Sequence, residues 1–220
     1  MKFPLIVVNF KLYEQGTGDG AIKLAKICEK VSDESGFNIV VVVNSIDLED
    51  VVNAVNIPVF VQHVDPVSYG SHTGQISPEL VFSAGAKGVL LNHNEDRIDD
   101  EVLKITIKKS QEAGLVTLVC LEGIESFEKF KNMNADLYAL EPKELIGGAE
   151  SVSTAACSVI ENAVIVFENG KLIVGGGIKS ADDVKVALAL GAYGVFVASA
   201  IVRSKDPYSA LLRLVSGLKV

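Results

Sequence analysis

The chain has 220 residues, with 20 Lys and Arg against 28 Asp and Glu (formal net charge −8) and 49% apolar residues. That length allows one large domain or two small ones, and the ordinary balance of apolar to charged residues excludes a mostly disordered chain. The negative balance, with its cations scattered, argues against nucleic acid or an anionic membrane as partner; no apolar run nears the roughly 18 residues of a membrane span.

The chain opens on Met-Lys-Phe-Pro before a short apolar run. It lacks the length and cleavage pattern of a secretion signal, so a cytoplasmic protein is expected. The first predicted strand is Leu5 to Val8, and the others are Ile39 to Val43, Val59 to Gln62, Gly88 to Leu91, Val116 to Cys120, Leu137 to Leu140, Leu172 to Val174 and Gly194 to Ala198. Continuous apolar runs of this kind suit strands covered on both faces, the condition of a parallel sheet, and parallel strands need crossovers.

Helical spacing fills most of the intervals. It marks Ala21, Leu24, Ala25, Ile27, Cys28 and Val31, then Leu48, Val51, Val52 and Val55, then Val102, Leu103, Ile105 and Ile107, and last Val184, Val186, Ala187, Leu188 and Leu190. Asp47, Ser126 and Ser180 are read as N-caps, and Gly36, Gly114 and Gly191 as C-terminal stops. Between the third strand and the next helix, His63 to Pro78 reads as a long loop of the kind that carries function or contacts.

Eight β-α units at about 27 residues each suit a closed (β/α)8 barrel in a single domain spanning residues 1–220. The rival doubly wound sheet lacks support, because Val8-Asn9-Phe10-Lys11 stands where a dinucleotide site would carry its glycine fingerprint. Cys28, Cys120 and Cys157 are odd in number and widely spaced, which reads as buried thiols and not as disulfides or a metal site. No metal and no cofactor are expected, and His63 and His72 are assigned to the loop.

In a parallel barrel, residues just past the strands' carboxyl ends converge on one mouth. Collected there are Asn9 and Lys11; Asn92, His93 and Glu95; Glu141; Gly175, Gly176 and Gly177; and Ala198 and Ser199. Each has an ordinary explanation alone: a solvated lysine, a structural histidine, a carboxylate capping a turn, a tight glycine turn. Together they offer a carboxylate base after an apolar run, an imidazole, an ammonium, and backbone N–H groups open to a phosphate.

The segments Asn9-Phe10-Lys11, Leu91-Asn92-His93-Asn94-Glu95 and Leu140-Glu141-Pro142-Lys143-Glu144-Leu145-Ile146-Gly147, in this order, resemble triosephosphate isomerase, and the short chain resembles its compact archaeal form. His63 to Gly74 is similar to that family's subunit-contact loop. The resemblance runs from the first strand to the final helix. It implies interconversion of dihydroxyacetone phosphate and glyceraldehyde 3-phosphate, in glycolysis and gluconeogenesis, with Glu141 as base, His93 as electrophile and proton carrier, and Lys11 stabilising the oxyanion. It further implies phosphate and substrate contacts near Asn9, Phe10, Ile146, Gly177, Ala198 and Ser199, with Glu95 orienting the group from behind. A homodimer or homotetramer is implied as well.

By the same resemblance, Pro142 to Glu150 is the lid that keeps water from the intermediate. The chain departs from the family there, reading Gly148-Ala149-Glu150-Ser151 where Thr-Gly is usual, so weaker affinity or altered closure is expected. Two alternatives stand beside the isomerase. One is another phosphosugar isomerase or aldolase, whose key groups generally sit on other strands; the other is a phosphate-binding barrel with a degraded lid, acting as a binding or sensing protein.

Overall fold

The structure is a computed structural model and describes residues 2–142, 157–167 and 172–219. The lid positions 143–150, Ile146 among them, lie outside the described residues. The eight apolar runs form eight strands: β1 (Leu5–Asn9), β2 (Asn38–Val43), β3 (Val59–Val61), β4 (Gly88–Leu91), β5 (Val116–Leu121), β6 (Leu137–Leu140), β7 (Leu172–Gly175) and β8 (Gly194–Val197). All pair in parallel in sequence order, and β8 returns to β1 to close the barrel, with Val8 opposite Val197 on one side and Val41 on the other. Closure abolishes the edges that an open sheet would expose.

Alternation along each strand divides the core in two. One set, including Leu5, Val7, Val40, Val42, Phe60, Leu90, Leu118, Leu137, Ile173 and Phe196, fills the barrel's interior. The other, including Ile6, Val8, Val41, Val89, Val119 and Val195, faces the helices. Because both faces are dry, the strands lack polar alternation, which is why the runs read as continuous. Each fully buried aliphatic side chain contributes up to about 1.5–3 kcal/mol. Phe60 fits because β4 begins with glycine: a Cβ on Gly88 would stand 2.5 Å from the ring's Cζ.

The described helices are α1 (Asp19–Ser35), α2 (Leu48–Ala54), α3 (Pro78–Ser83), α4 (Asp100–Glu112), α5 (Ile124–Phe130), α6 (Cys157–Val166), α7 (Ala181–Ala189), α8 (Ser199–Val202) and α9 (Pro207–Ser216). In α1 the spacing of Ala21, Leu24, Ala25, Cys28 and Val31 gives one buried face, and Gly36 ends the helix in the left-handed conformation (φ 74°). Ser180 caps α7 as read, its Oγ accepting from Asp183 N while the Asp183 carboxylate accepts from Ser180 N at 2.9 Å. That reciprocal pair fixes where the polypeptide leaves the β7 loop.

Two local readings, those of Ser126 and Cys157, are corrected. Ser126 is no N-cap: α5 starts two residues earlier, and the Ser126 hydroxyl instead turns back on Gly123 O at 2.5 Å. Asp47 is the N-cap residue of α2 as read, but through its backbone alone, because its carboxylate takes Gly18 N and Asn44 Nδ2. Cys28 and Cys120 are core thiols, whereas Cys157 is only half-buried. Burial pushes the Cys28 thiol up to about 12, which keeps it protonated and unreactive.

Candidate active site at the carboxyl ends of the strands

β1 delivers Asn9 and, two residues on, Lys11. The Lys11 backbone is left-handed (φ 50°), a conformation that costs a residue with a Cβ about 1–2 kcal/mol. Local hydrogen bonds hold it there. Asn9, itself buried, accepts Lys11 N on Oδ1 at 3.0 Å. From β3's end, Gln62 Nε2 donates to Lys11 O at 3.0 Å and reaches Asn9 Oδ1 at 3.4 Å. The Lys11 side chain, only 11% exposed, ends 2.7 Å from Glu95 Oε1.

β4 ends in Asn92, whose left-handed backbone (φ 59°) turns the strand sharply. Its side chain bridges outward, Nδ2 to Cys120 O and Oδ1 to Ile98 N. Arg97 donates to Asn92 O at 2.9 Å and also bonds Asn94 Oδ1 and Glu122, so the loop carrying His93 is pinned at both ends. His93 is buried, and the backbone N–H of Glu95 donates to its Nδ1 at 3.1 Å. An N–H can only donate, so Nδ1 is an acceptor, and the neutral ring carries its proton on Nε2. That nitrogen is buried without a hydrogen-bond partner among the described residues and lies 3.4 Å from Glu141 Oε2.

Glu141 follows β6 and is 6% exposed. Its backbone N–H continues the ladder to Leu121 O, and its carbonyl accepts from Asn94 Nδ2, tying it to the His93 loop. Room for the side chain comes from the neighbouring strand: a Cβ on Gly175 would stand 2.7 Å from Glu141 Cγ. Behind the carboxylate, Cys120 Sγ lies 3.9 Å from Oε2. Burial first, then the negative charge of Glu141, pushes this thiol well up, so it stays a neutral neighbour.

A cavity opens beside these groups, lined by Lys11, Glu141, Gly176, Gly177, Ala198 and Ser199 among others. Gly176 and Gly177 both have positive φ (93° and 74°), which places a tight turn on the cavity wall. On the adjacent strand's end, the chain passes from Ala198 into the single turn α8, whose first N–H groups have no acceptor within the helix. Residues of both turns thus line one small space together with Lys11.

Of the residues singled out in the sequence, Lys11, His93, Glu141, Glu95, Gly177, Ala198 and Ser199 meet at this mouth. Asn9 stands just beneath it. The Phe10 side chain is fully buried in the core between strands and helices, so any contribution it makes to the site is through its backbone. The sequence reading overlooked Gln62 and Arg97. Both are polar residues past strand ends, and applying the same collection rule to β3 and to the full β4 loop finds them.

The fold and this mouth define a β/α-barrel enzyme equipped for acid–base chemistry on a small anionic substrate. The sequence profile described as Triosephosphate isomerase matches residues 4–217. Among similar proteins are the triosephosphate isomerases of Methanobacterium bryantii (42% identical, covering 97% of this chain and 96% of that one) and Methanothermus fervidus (41%; 98% and 99%). That of Methanocaldococcus jannaschii is 40% identical over 96% of this chain and 98% of its own. The chain belongs to the triosephosphate isomerase family.

Proposed function

We propose that the chain interconverts dihydroxyacetone phosphate and D-glyceraldehyde 3-phosphate, with Glu141, His93 and Lys11 as the catalytic residues. The division between a carboxylate base and a neutral imidazole electrophile is the one known for this family. The observation that carries the assignment here is the buried, unsatisfied Nε2–H of His93 facing the Glu141 carboxylate across 3.4 Å. A substrate carbonyl oxygen set beside this pair receives a hydrogen bond from the ring while the carboxylate reaches the adjacent carbon.

The Glu141 carboxylate removes the proton from the carbon beside the carbonyl. The C–H electrons form the enediolate double bond, and the carbonyl electrons move onto oxygen. His93 Nε2–H stabilises that oxygen and passes protons between the two oxygens; the Lys11 ammonium adds a compact positive charge where negative charge grows. Glu141 then returns its proton to the neighbouring carbon, and the new carbonyl forms. The phosphate is held by N–H groups at Gly177, Ser199 and Ala200, which explains how an acidic protein binds a dianion. Ile146 and the lid 142–150 complete this grip by family resemblance. The reaction places the chain in glycolysis and gluconeogenesis, in the cytoplasm; no helix among the described residues is long and apolar enough to cross a membrane.

A coupled assay of triose interconversion tests the reading. Lys11→Met is expected to lower kcat/KM by about 10²–10³-fold, the usual effect of removing one oxyanion-stabilising donor. A barrel that binds inorganic phosphate but turns over no triose phosphate overturns the enzymatic assignment in favour of a binding protein.

For assembly, we propose a homodimer. Leu12, Ile46 and Tyr69, which follow β1, β2 and β3 at the same end of the barrel, are 75%, 89% and 68% exposed. Apolar side chains this exposed in one arc favour burial against a second copy. Sedimentation equilibrium is expected to give at least twice the monomer's 23.4 kDa. A monomer at micromolar concentration sinks the proposal.

A further inference from the structure

We propose that Gln62 is a positioning residue for Lys11, holding the lysine's backbone in the left-handed conformation that aims its ammonium into the cavity. This rests on the reading of Lys11 as the group that stabilises the developing oxyanion, and adds to it the device that keeps Lys11 in place.

Three observations converge. First, Lys11 is one of three residues with a side chain at positive φ among the described residues; the other two are asparagines, which tolerate that region through local hydrogen bonds. A lysine has no such means of its own, so its conformation must be imposed. Second, Asn9 Oδ1 restrains only the Lys11 N–H, while the Lys11 carbonyl on the far side of the same residue is taken by Gln62 Nε2 at 3.0 Å. N–H and C=O of a single residue held by two separate side chains fix both dihedrals flanking it. Gln62 also reaches Asn9 Oδ1, so the two restraints are one network. Both partners of the Gln62 amide are acceptor oxygens, so its nitrogen must face them; no flipped amide serves.

Third, Gln62 is itself anchored from both sides. Its own N–H bonds Val43 O at 2.9 Å, in register with the β2–β3 ladder. The next residue, His63, places Nε2 3.3 Å from Asp65 Oδ1 and Nδ1 3.1 Å from Asp96 Oδ2, spanning its own loop and the loop that bears His93. The root of the β3 loop therefore clasps the Lys11 loop with one residue and the His93 loop with the next.

Gln62→Met removes the donor and keeps the side chain's length, leaving the catalytic groups untouched. With the Lys11 carbonyl released, the residue relaxes and its ammonium shifts from its place in the cavity. We expect kcat to fall about 10-fold and KM and the inhibition constant of inorganic phosphate each to rise about 5-fold, the scale of a group displaced by roughly 1 Å. A purely structural hydrogen bond predicts otherwise: a smaller active fraction, hence lower kcat with KM and the phosphate constant unchanged. That pattern, or wild-type kinetics, overturns the proposal. If Gln62→Met does not fold, Gln62→Ala is read by the same criteria. Failure of the underlying reading shows separately: a Lys11→Met variant with full turnover removes that reading, whereas an inactive Lys11→Met beside a normal Gln62→Met removes only the role of Gln62.

Discussion

Glu141→Gln is expected to lower kcat by about four orders of magnitude and leave KM within a few-fold of wild type. The substitution is nearly isosteric, so the packing against Gly175, which has no side chain to yield, is preserved. What disappears is the capacity to take a proton. Among the described residues no other carboxylate can replace it: Glu95, also near His93, has Oε1 committed to Lys11 at 2.7 Å and is largely exposed. KM is expected to change little because the proposed phosphate contacts are backbone groups and not the carboxylate. Stopped assays with enzyme at high concentration measure the residual rate. Turnover within ten-fold of wild type would show that proton abstraction occurs elsewhere.

His93→Gln is the second large effect, with kcat about 10²–10³-fold lower. Glutamine can offer an N–H to a substrate oxygen, but it cannot relay a proton between two oxygens. It also loses the Nδ1 acceptor that receives Glu95 N and fixes the ring's tautomer. The two roles separate by isotope exchange. In deuterated solvent the variant is expected to exchange the carbon-bound hydrogen of the substrate faster than it releases product, because Glu141 still enolises the substrate while transfer between oxygens lags. Exchange and product formation falling in parallel would leave His93 with polarisation alone.

Much of the fold was legible because its physics is local. Each strand is covered on both faces, so its sequence is an unbroken apolar run, and its ends agree with the structure to within a residue. Gly36 and Ser180 announce helix ends through backbone needs that few residues meet. Legibility failed where a partner far along the chain decides. Ser126 reads as a cap by type, yet the chain enters α5 at Gly123 and the serine folds back. Asp47 does stand at the N-cap of α2, but Gly18, 29 residues away, takes the carboxylate that its type would lend to the helix. At the site, Lys11, His93 and Glu141 stood out as polar residues at strand ends. Gln62 did not, because its role exists only through the positive φ of a residue 51 positions earlier. The one-turn helix α8 has no periodicity to read.

The side chains that plug the barrel's axis have a consequence for traffic. With Phe60, Leu90, Leu118 and Ile173 packed into the centre, the well above them is blind. Whatever enters must leave by the same doorway, so reactant and product contend for a single berth and never occupy it together. The net direction of flow is therefore dictated by their abundances outside, and the protein hastens both journeys alike.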